Sequence, residues 1–196
     1  MGLLRLFLPR WARRVLWAVL FLGFGVVVGL RLFVWPETRA AAAADAIVMF
    51  QGGEGERLVE VQRLLELGVA DVAIVPEGQN MGIAGLCGTH EDHRVICGTP
   101  AVANTAGEAA FFAAIAEREG FEHLVAVTSS YHATRATQEL SRCHDGSVGQ
   151  APARPALPAT VYGTRVAHEA VGLFQSMLRS GCPSPGWLED GTPAGG

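Results

Sequence analysis

The chain has 196 residues, 49% of them hydrophobic, and 15 basic against 19 acidic side chains give a net charge of −4. That length fits one domain plus an appendage. The charge is split, with six arginines against Glu37 in residues 1–39 and nine arginines against eighteen acids in the rest. An acidic body with a basic N-terminal arm argues against nucleic acid as a partner and for a membrane arm.

The first predicted element is that arm. Val15 to Trp35 is apolar except for Arg31, and about 20 apolar residues cross a bilayer. Arg5, Arg10, Arg13 and Arg14 precede it, and by the positive-inside rule they stay cytoplasmic. The chain is therefore expected to be a single-pass plasma-membrane protein with a cytoplasmic N-terminus and an extracytoplasmic domain. Residues 1–39 are the basic stub and anchor, 40–182 the domain, and 183–196, rich in Gly and Pro, a disordered tail. The alternative is a cleaved signal peptide, with "AAAAADA" offering small residues, but the apolar run exceeds the ~7–15 residues of a signal core.

Beyond the anchor, "DAIVMF" reads as a strand ending at Gln51-Gly52-Gly53, and "GERLVEVQRLLELG" as a helix closed by Gly68. "DVAIVPEG" is a second strand. Residues 79–98 read as a polar, Gly-rich loop around a short apolar "RVI". "NTAGEAAFFAAIAEREG" is a helix capped by Asn104 or Thr105, with Glu108 in the capping-box place. "HLVAVTSS" is a strand, "YHATRATQELSRC" a helix, "APARPALPA" an irregular proline-rich stretch, and "GTRVAHEAVGLFQSMLRSGC" the last helix. Short continuous apolar strands alternating with helices predict an α/β fold: a Rossmann-like parallel sheet with helices on both faces.

The four cysteines, an even count in an extracytoplasmic domain, read as disulfides, with Cys87–Cys97 and Cys143–Cys182 the preferred pairing of three. A zinc site from Cys87, His90, His93 and Cys97 is the rival reading, although their spacing is unlike the common zinc patterns; no metal is expected.

In open parallel sheets ligands bind beyond the carboxyl ends of the strands, where strand order reverses. Thr128, Ser129, Ser130, Tyr131 and His132 fall at such an end, as do Gly52 and Gly53, Glu77 and Gly78; Asn104 and Thr105 open the intervening helix. Helix N-termini and an arginine fork at Arg135 favour an anionic ligand. Each feature also has a plain reading: a tight turn at Gly52-Gly53, an N-cap at Ser129 or Ser130, an Arg135–Glu139 pair one turn apart.

The ordered motifs resemble the YdcF/SanA/ElyC-like family of bacterial envelope-associated domains over about residues 45–180. They are "DAIVMFQGGEGER" (Gly52, Gly53, Arg57), "IVPEG", "NTAGEA" (Thr105, Glu108), "VTSSYHATRA", and "AHEAVGL" (Glu169). Two positions depart from its pattern: Gln51 replaces the first glycine of the usual triple, and Glu77-Gly78-Gln79 replaces Ser-Gly-Gly. The resemblance implies a role in cell-envelope biogenesis or barrier function, with no settled reaction or cofactor, and the crevice residues add a small anionic or lipid-linked ligand. The alternatives are a hydrolase or transferase acting on a phosphorylated envelope substrate, read from the same residues, or a nucleotide or S-adenosylmethionine binder, the latter implied by the resemblance. In the enzymatic reading His132 is the general acid or base, Glu77 or Glu108 a second carboxylate, and Arg135 the charge stabiliser.

Overall fold

A computed structural model describes residues 9–38, 43–53, 55–77 and 87–182. Gly78, the basic Arg5 and the tail 183–196 lie outside them. The expected architecture is present. Strands β1 (Ala46–Met49), β2 (Val72–Pro76), β3 (Gly88–Thr89), β4 (Arg94–Gly98), β5 (His123–Ser129) and β6 (Ser147–Ala153) form one sheet in the order β3-β4-β2-β1-β5-β6. All neighbours are parallel except β3 on β4. Strand order reverses between β1 and β5, which opens a crevice past their carboxyl ends.

Helix α1 (Arg10–Gly29) runs into a π-helical turn at Leu30–Val34; α2 (Glu56–Glu66), α3 (Thr105–Glu119), α4 (Ala133–Cys143) and α5 (Ala159–Met177) follow. The strands are apolar on both sides because both sides are covered. Ile47, Met49, Val125 and Val127 face Val61 and Leu64 of α2. Val48, Phe50, Leu124 and Ala126 face Phe112 and Ala116 of α3 and Ala136 and Leu140 of α4. Phe50 and Phe112 meet edge to face, centroids 5.0 Å apart. Each such large apolar side chain, when fully buried, is worth about 1.5–3 kcal/mol.

Two segments depart from the sequence reading. "RVICG" is β4, fully paired in parallel to β2, rather than an apolar island in a loop. The start of the proline-rich stretch is strand β6, whose Pro152 pairs opposite Thr128. Strand β6 is at the sheet edge, where a residue without an N–H costs no ladder bond.

Both preferred disulfides are formed, Cys87–Cys97 and Cys143–Cys182, and no free cysteine remains among the described residues. The zinc reading is thereby set aside, because both sulfurs it needs are bonded to each other. The bridge from Cys143 to Cys182 spans 39 positions, a loop whose closure is worth about 4 kcal/mol in the chain-entropy picture. It also pins the end of α5 to the end of α4.

Arg10–Val34 is apolar and long enough to cross a membrane, and its spanning window is unburied within the protein. Its end is tied to the domain. Thr134 Oγ1 donates to Leu32 O at 2.6 Å, Tyr162 OH to Phe33 O at 2.7 Å, and Gln150 Nε2 to Glu37 O at 2.6 Å. Thr134 and Tyr162 lie at the carboxyl-end rim of the sheet, Gln150 part-way down, and Asp45 at the opposite end, where its N–H donates to His123 O. The apolar helix thus meets the domain at the crevice rim, and Glu37 lies against β6.

Candidate functional site

The crevice collects side chains from the ends of β1 and β5 and from four helices, α2 to α5. Gly52 and Gly53 turn the chain off β1 with φ of 96° and 84°, a conformation that side-chain-bearing residues avoid. Asn104 caps α3 by accepting from Gly107 N at 2.8 Å. Glu108 does not complete a capping box: the Asn104 N–H goes to Val102 O, and Glu108 Oε1 instead accepts from Gln51 N at 2.7 Å. Neither serine caps α4. His132 occupies that position without a side-chain cap bond.

Two clusters form. In the first, Arg57 is buried against the end of β1. Its Nη1 donates to Phe50 O at 3.0 Å and to Gln51 O, and its Nε to Ser129 Oγ at 2.9 Å. Ser129 Oγ donates onward to Glu56 Oε1 at 2.6 Å. Burial pulls the Arg57 guanidinium below its ordinary value, against the attraction of Tyr131, Glu56 and Glu108. Three of its bonds go to backbone carbonyls and a serine, so this residue is a clamp on the β1 turn rather than a ligand fork.

In the second cluster, His132 Nδ1 lies 2.8 Å from Glu169 Oε2. Arg135 Nε and Nη2 reach the two Glu169 oxygens at 2.7 and 2.9 Å, a bidentate pair, and Nη1 donates to Thr105 Oγ1 at 2.9 Å. Arg135 therefore does not pair with Glu139, which holds Arg142 instead. Gly172 admits this arrangement: a Cβ there would sit 3.0 Å from Arg135 Nε.

Protonation follows from the contacts. Burial alone would raise the Glu169 carboxyl, but the hydrogen bonds and charges of His132 and Arg135 outweigh it and hold the group at about 2. Glu169 is therefore an acceptor, and His132 Nδ1 must carry a proton to donate to it. Burial, with Arg135 and Arg57 nearby, lowers the imidazole despite Glu169. A neutral ring with Nδ1–H leaves Nε2 as a lone-pair base. The 3.2 Å approach of Arg135 Nη2 to Nδ1 is then a contact between two donors. Glu108 behaves oppositely: burial lifts it to about 7, against the pull of Gln51 N, Arg57 and Arg135.

The remaining expected residues divide. Ser130 Oγ lies 2.9 Å from Tyr162 OH, and Tyr131 is buried edge-to-face on Tyr162. Among the described residues Thr128 Oγ1 is the one buried side-chain oxygen or nitrogen without a hydrogen-bond partner. Glu77 is exposed and contributes only backbone: its N–H donates to Gly98 O and its carbonyl accepts from Gln51 Nε2. It is not a second carboxylate of the dyad. Sequence reasoning missed Glu56 and Tyr162. Glu56 follows the turn glycines beside Arg57, a visible cue, whereas "TVYGT" carries none. Among the described residues no group of three or more His, Cys, Asp or Glu side chains is arranged to hold a metal.

The fold and site define an α/β domain with a Glu-His-Arg constellation at the switch point of a parallel sheet, joined to one apolar N-terminal helix. Compared with known proteins, the chain matches no family model and no curated sequence.

Proposed function

We propose that this is a membrane-anchored, extracytoplasmic protein of cell-envelope biogenesis or barrier function. In this reading its crevice binds a small anionic or lipid-linked precursor, in keeping with the YdcF/SanA/ElyC resemblance. One observation carries the reading: the His132–Glu169–Arg135 network lies at the same end of the domain as the anchor's entry. A headgroup at the membrane surface is then within reach of the crevice. Arg57 and Arg135 are matched by Glu56 and Glu169, so the attraction for an anion rests on the N-termini of α3 and α4 and on Glu108 being protonated. Binding therefore strengthens as pH falls below about 7.

The test is thermal stabilisation of the full chain in a mild detergent by undecaprenyl phosphate, sugar phosphates, nucleotides and S-adenosylmethionine. The phosphate compounds raise the melting temperature, more at pH 6 than at pH 8, and His132→Ala and Arg135→Ala abolish the rise. A shift that survives both changes, or one from S-adenosylmethionine alone, sinks the reading.

A second reading, hydrolysis or group transfer on a phosphorylated envelope substrate, is favoured by two groups of the same crevice, the neutral His132 ring and a Glu108 carboxyl lifted to about 7. Its mark is phosphate release that His132→Ala removes while stabilisation by the same compound persists.

A further inference from the structure

Helix α4 uses its charges on one side. Arg135 pairs with Glu169 of α5, and Arg142 with Glu139 and with Ser176 of α5. The face away from them carries Thr134, Thr137, Gln138 and Ser141, at i, i+3, i+4 and i+7, and no charge. These residues line a cavity of about 640 Å³ between α4, the edge strand β6 and the end of the apolar helix, where Arg31 and Glu37 complete the lining.

The walls of this cavity are tied to one another. In the π-helical turn Trp35 N–H donates to Leu30 O at 2.8 Å, and Leu32 O accepts from Thr134 Oγ1 at 2.6 Å. Thr137 Oγ1 donates to Gln150 Oε1 at 2.9 Å, and the buried Gln150 passes a bond on from Nε2 to Glu37 O at 2.6 Å. Those bonds join α4, β6 and the chain after the apolar helix. Arg31, Gln138 and Ser141 make no side-chain hydrogen bond or ion pair among the described residues. A guanidinium, an amide and a hydroxyl are therefore left for a ligand.

Height selects that ligand. Arg14 and Arg31 are about 26 Å apart along the helix, against about 30 Å of hydrocarbon in a bilayer. Extended outward, both guanidiniums reach the headgroups. The cavity is thus at the depth of lipid phosphates, and a guanidinium with amide and hydroxyl donors is a phosphate-binding set. Glu37 adds one carboxylate to the lining. That suits a phosphodiester with a single negative charge better than a phosphomonoester with about two.

We infer that this cavity is a lipid site, in which the phosphodiester headgroup of a bilayer phospholipid sits between Arg31 and the Gln138–Ser141 face of α4. It is separate from the crevice, since Arg135 points from α4 toward α5. The inference rests on the membrane-anchored reading above and not on what the crevice binds.

The experiment is thermal unfolding of the full chain, disulfides intact, in a maltoside detergent that carries no phosphate. Dioctanoyl phosphatidylglycerol is the probe. Dioctanoylglycerol is the phosphate-free control, and glycerophosphoglycerol supplies the same headgroup without acyl chains. The phospholipid at about ten times its dissociation constant raises the melting temperature by roughly 3–6 °C. Neither control does so at the same concentration. Arg31→Gln weakens phospholipid binding about tenfold or more and leaves the melting temperature without lipid unchanged, because Arg31 bonds to nothing in the fold. Gln138→Leu/Ser141→Val weakens it from the domain side, so the result does not hang on how an Arg31 variant sits in its micelle. No shift with the phospholipid overturns the inference. Equal stabilisation by glycerophosphoglycerol also overturns it, making the ligand a solute. A phospholipid shift that His132→Ala removes and Arg31→Gln leaves intact puts the headgroup in the crevice and overturns it as well. Carbonate extraction of membranes tests the anchor by itself: a released chain sinks the membrane reading and this inference together, whereas a crevice indifferent to undecaprenyl phosphate leaves the inference standing.

Discussion

Two arginines, both close to the switch point, do different work. Arg57 spends its bonds on two backbone carbonyls at the end of β1 and on Ser129, none of which titrates near neutral pH. Arg135 spends its bonds on Glu169 and Thr105, beside an imidazole whose other nitrogen is left as a base. The first arrangement fixes a turn. The second holds a proton-accepting group in one tautomer and one orientation. The resemblance treats both as site residues, yet they differ in whether their partners are scaffold or chemistry.

The largest effect expected breaks the comparison at its scaffold side. Arg57→Met leaves Phe50 O, Gln51 O and Ser129 Oγ without their shared donor, and each such group left unsatisfied costs about 1–3 kcal/mol, so the sum exceeds any other single change here. Urea unfolding should show that loss. Arg135→Met costs less, about 1–3 kcal/mol, because His132 still holds Glu169, but it removes stabilisation by phosphate compounds. If Arg57→Met abolishes ligand response while leaving stability intact, the division of roles is wrong.

Acid titration is next in size. Glu169 has a folded value of about 2 against an ordinary 4.5. A depressed carboxyl contributes stability above the unfolded value and loses it as pH falls through the folded one, here about 3 kcal/mol between pH 4.5 and 2. Unfolding followed across that window should be steep in the native chain and shallower in Glu169→Gln.

Glu108 supplies an effect of opposite sign and about 1–3 kcal/mol. Its folded value, about 7, lies above 4.5, so its contribution is complete below pH 4.5 and is lost as pH rises through 7. Glu108→Gln, which keeps an acceptor for Gln51 N, should match the native chain at pH 4.5 and exceed it in stability at pH 8. The lowered His132 runs the other way, with its contribution present above 6.5 and lost as pH falls. In Glu108→Gln stability therefore rises from pH 4.5 to 7, and in His132→Gln it falls. Equal slopes in the two variants would show that these groups are not the buried titrating pair.

The parts of this site that the sequence displays are those set by local rules. Continuous apolar runs announce buried parallel strands, and "DAIVMF" and "HLVAVTSS" are the two that flank the switch point, so Gly52 and His132 are placed correctly from spacing alone. What stays hidden is set by tertiary contact. Glu108 sits where a capping box would use it, yet the β1 turn offers Gln51 N–H and burial makes that bond preferable to reaching Asn104. Arg135 has Glu139 one turn away, but Glu169 arrives from a helix 34 positions on and offers two oxygens in a plane. Strand β4 is obscured by Arg94 and the glycines around it; it becomes a strand because β2 leaves its edge unpaired. Strand β6 is obscured by prolines that only an edge tolerates.

The smallest expected effect tests whether the anchor contact belongs to the scaffold side or the chemical side. Tyr162 OH donates to Phe33 O, so Ser130 Oγ must be the donor in its 2.9 Å contact with that hydroxyl. Tyr162→Phe removes both bonds from a half-buried position that water can enter, a loss of about 1 kcal/mol or roughly 2–4 °C in melting temperature for a chain of this size. Because Glu169, seven residues further along α5, holds His132 and Arg135 by contacts that Tyr162 does not touch, affinity for a phosphate compound should change less than about threefold. A larger fall in affinity, with the same small loss of stability, would mean that the membrane end of the chain sets the position of Ser130 in the crevice, and that the tether belongs with Arg135 rather than with Arg57.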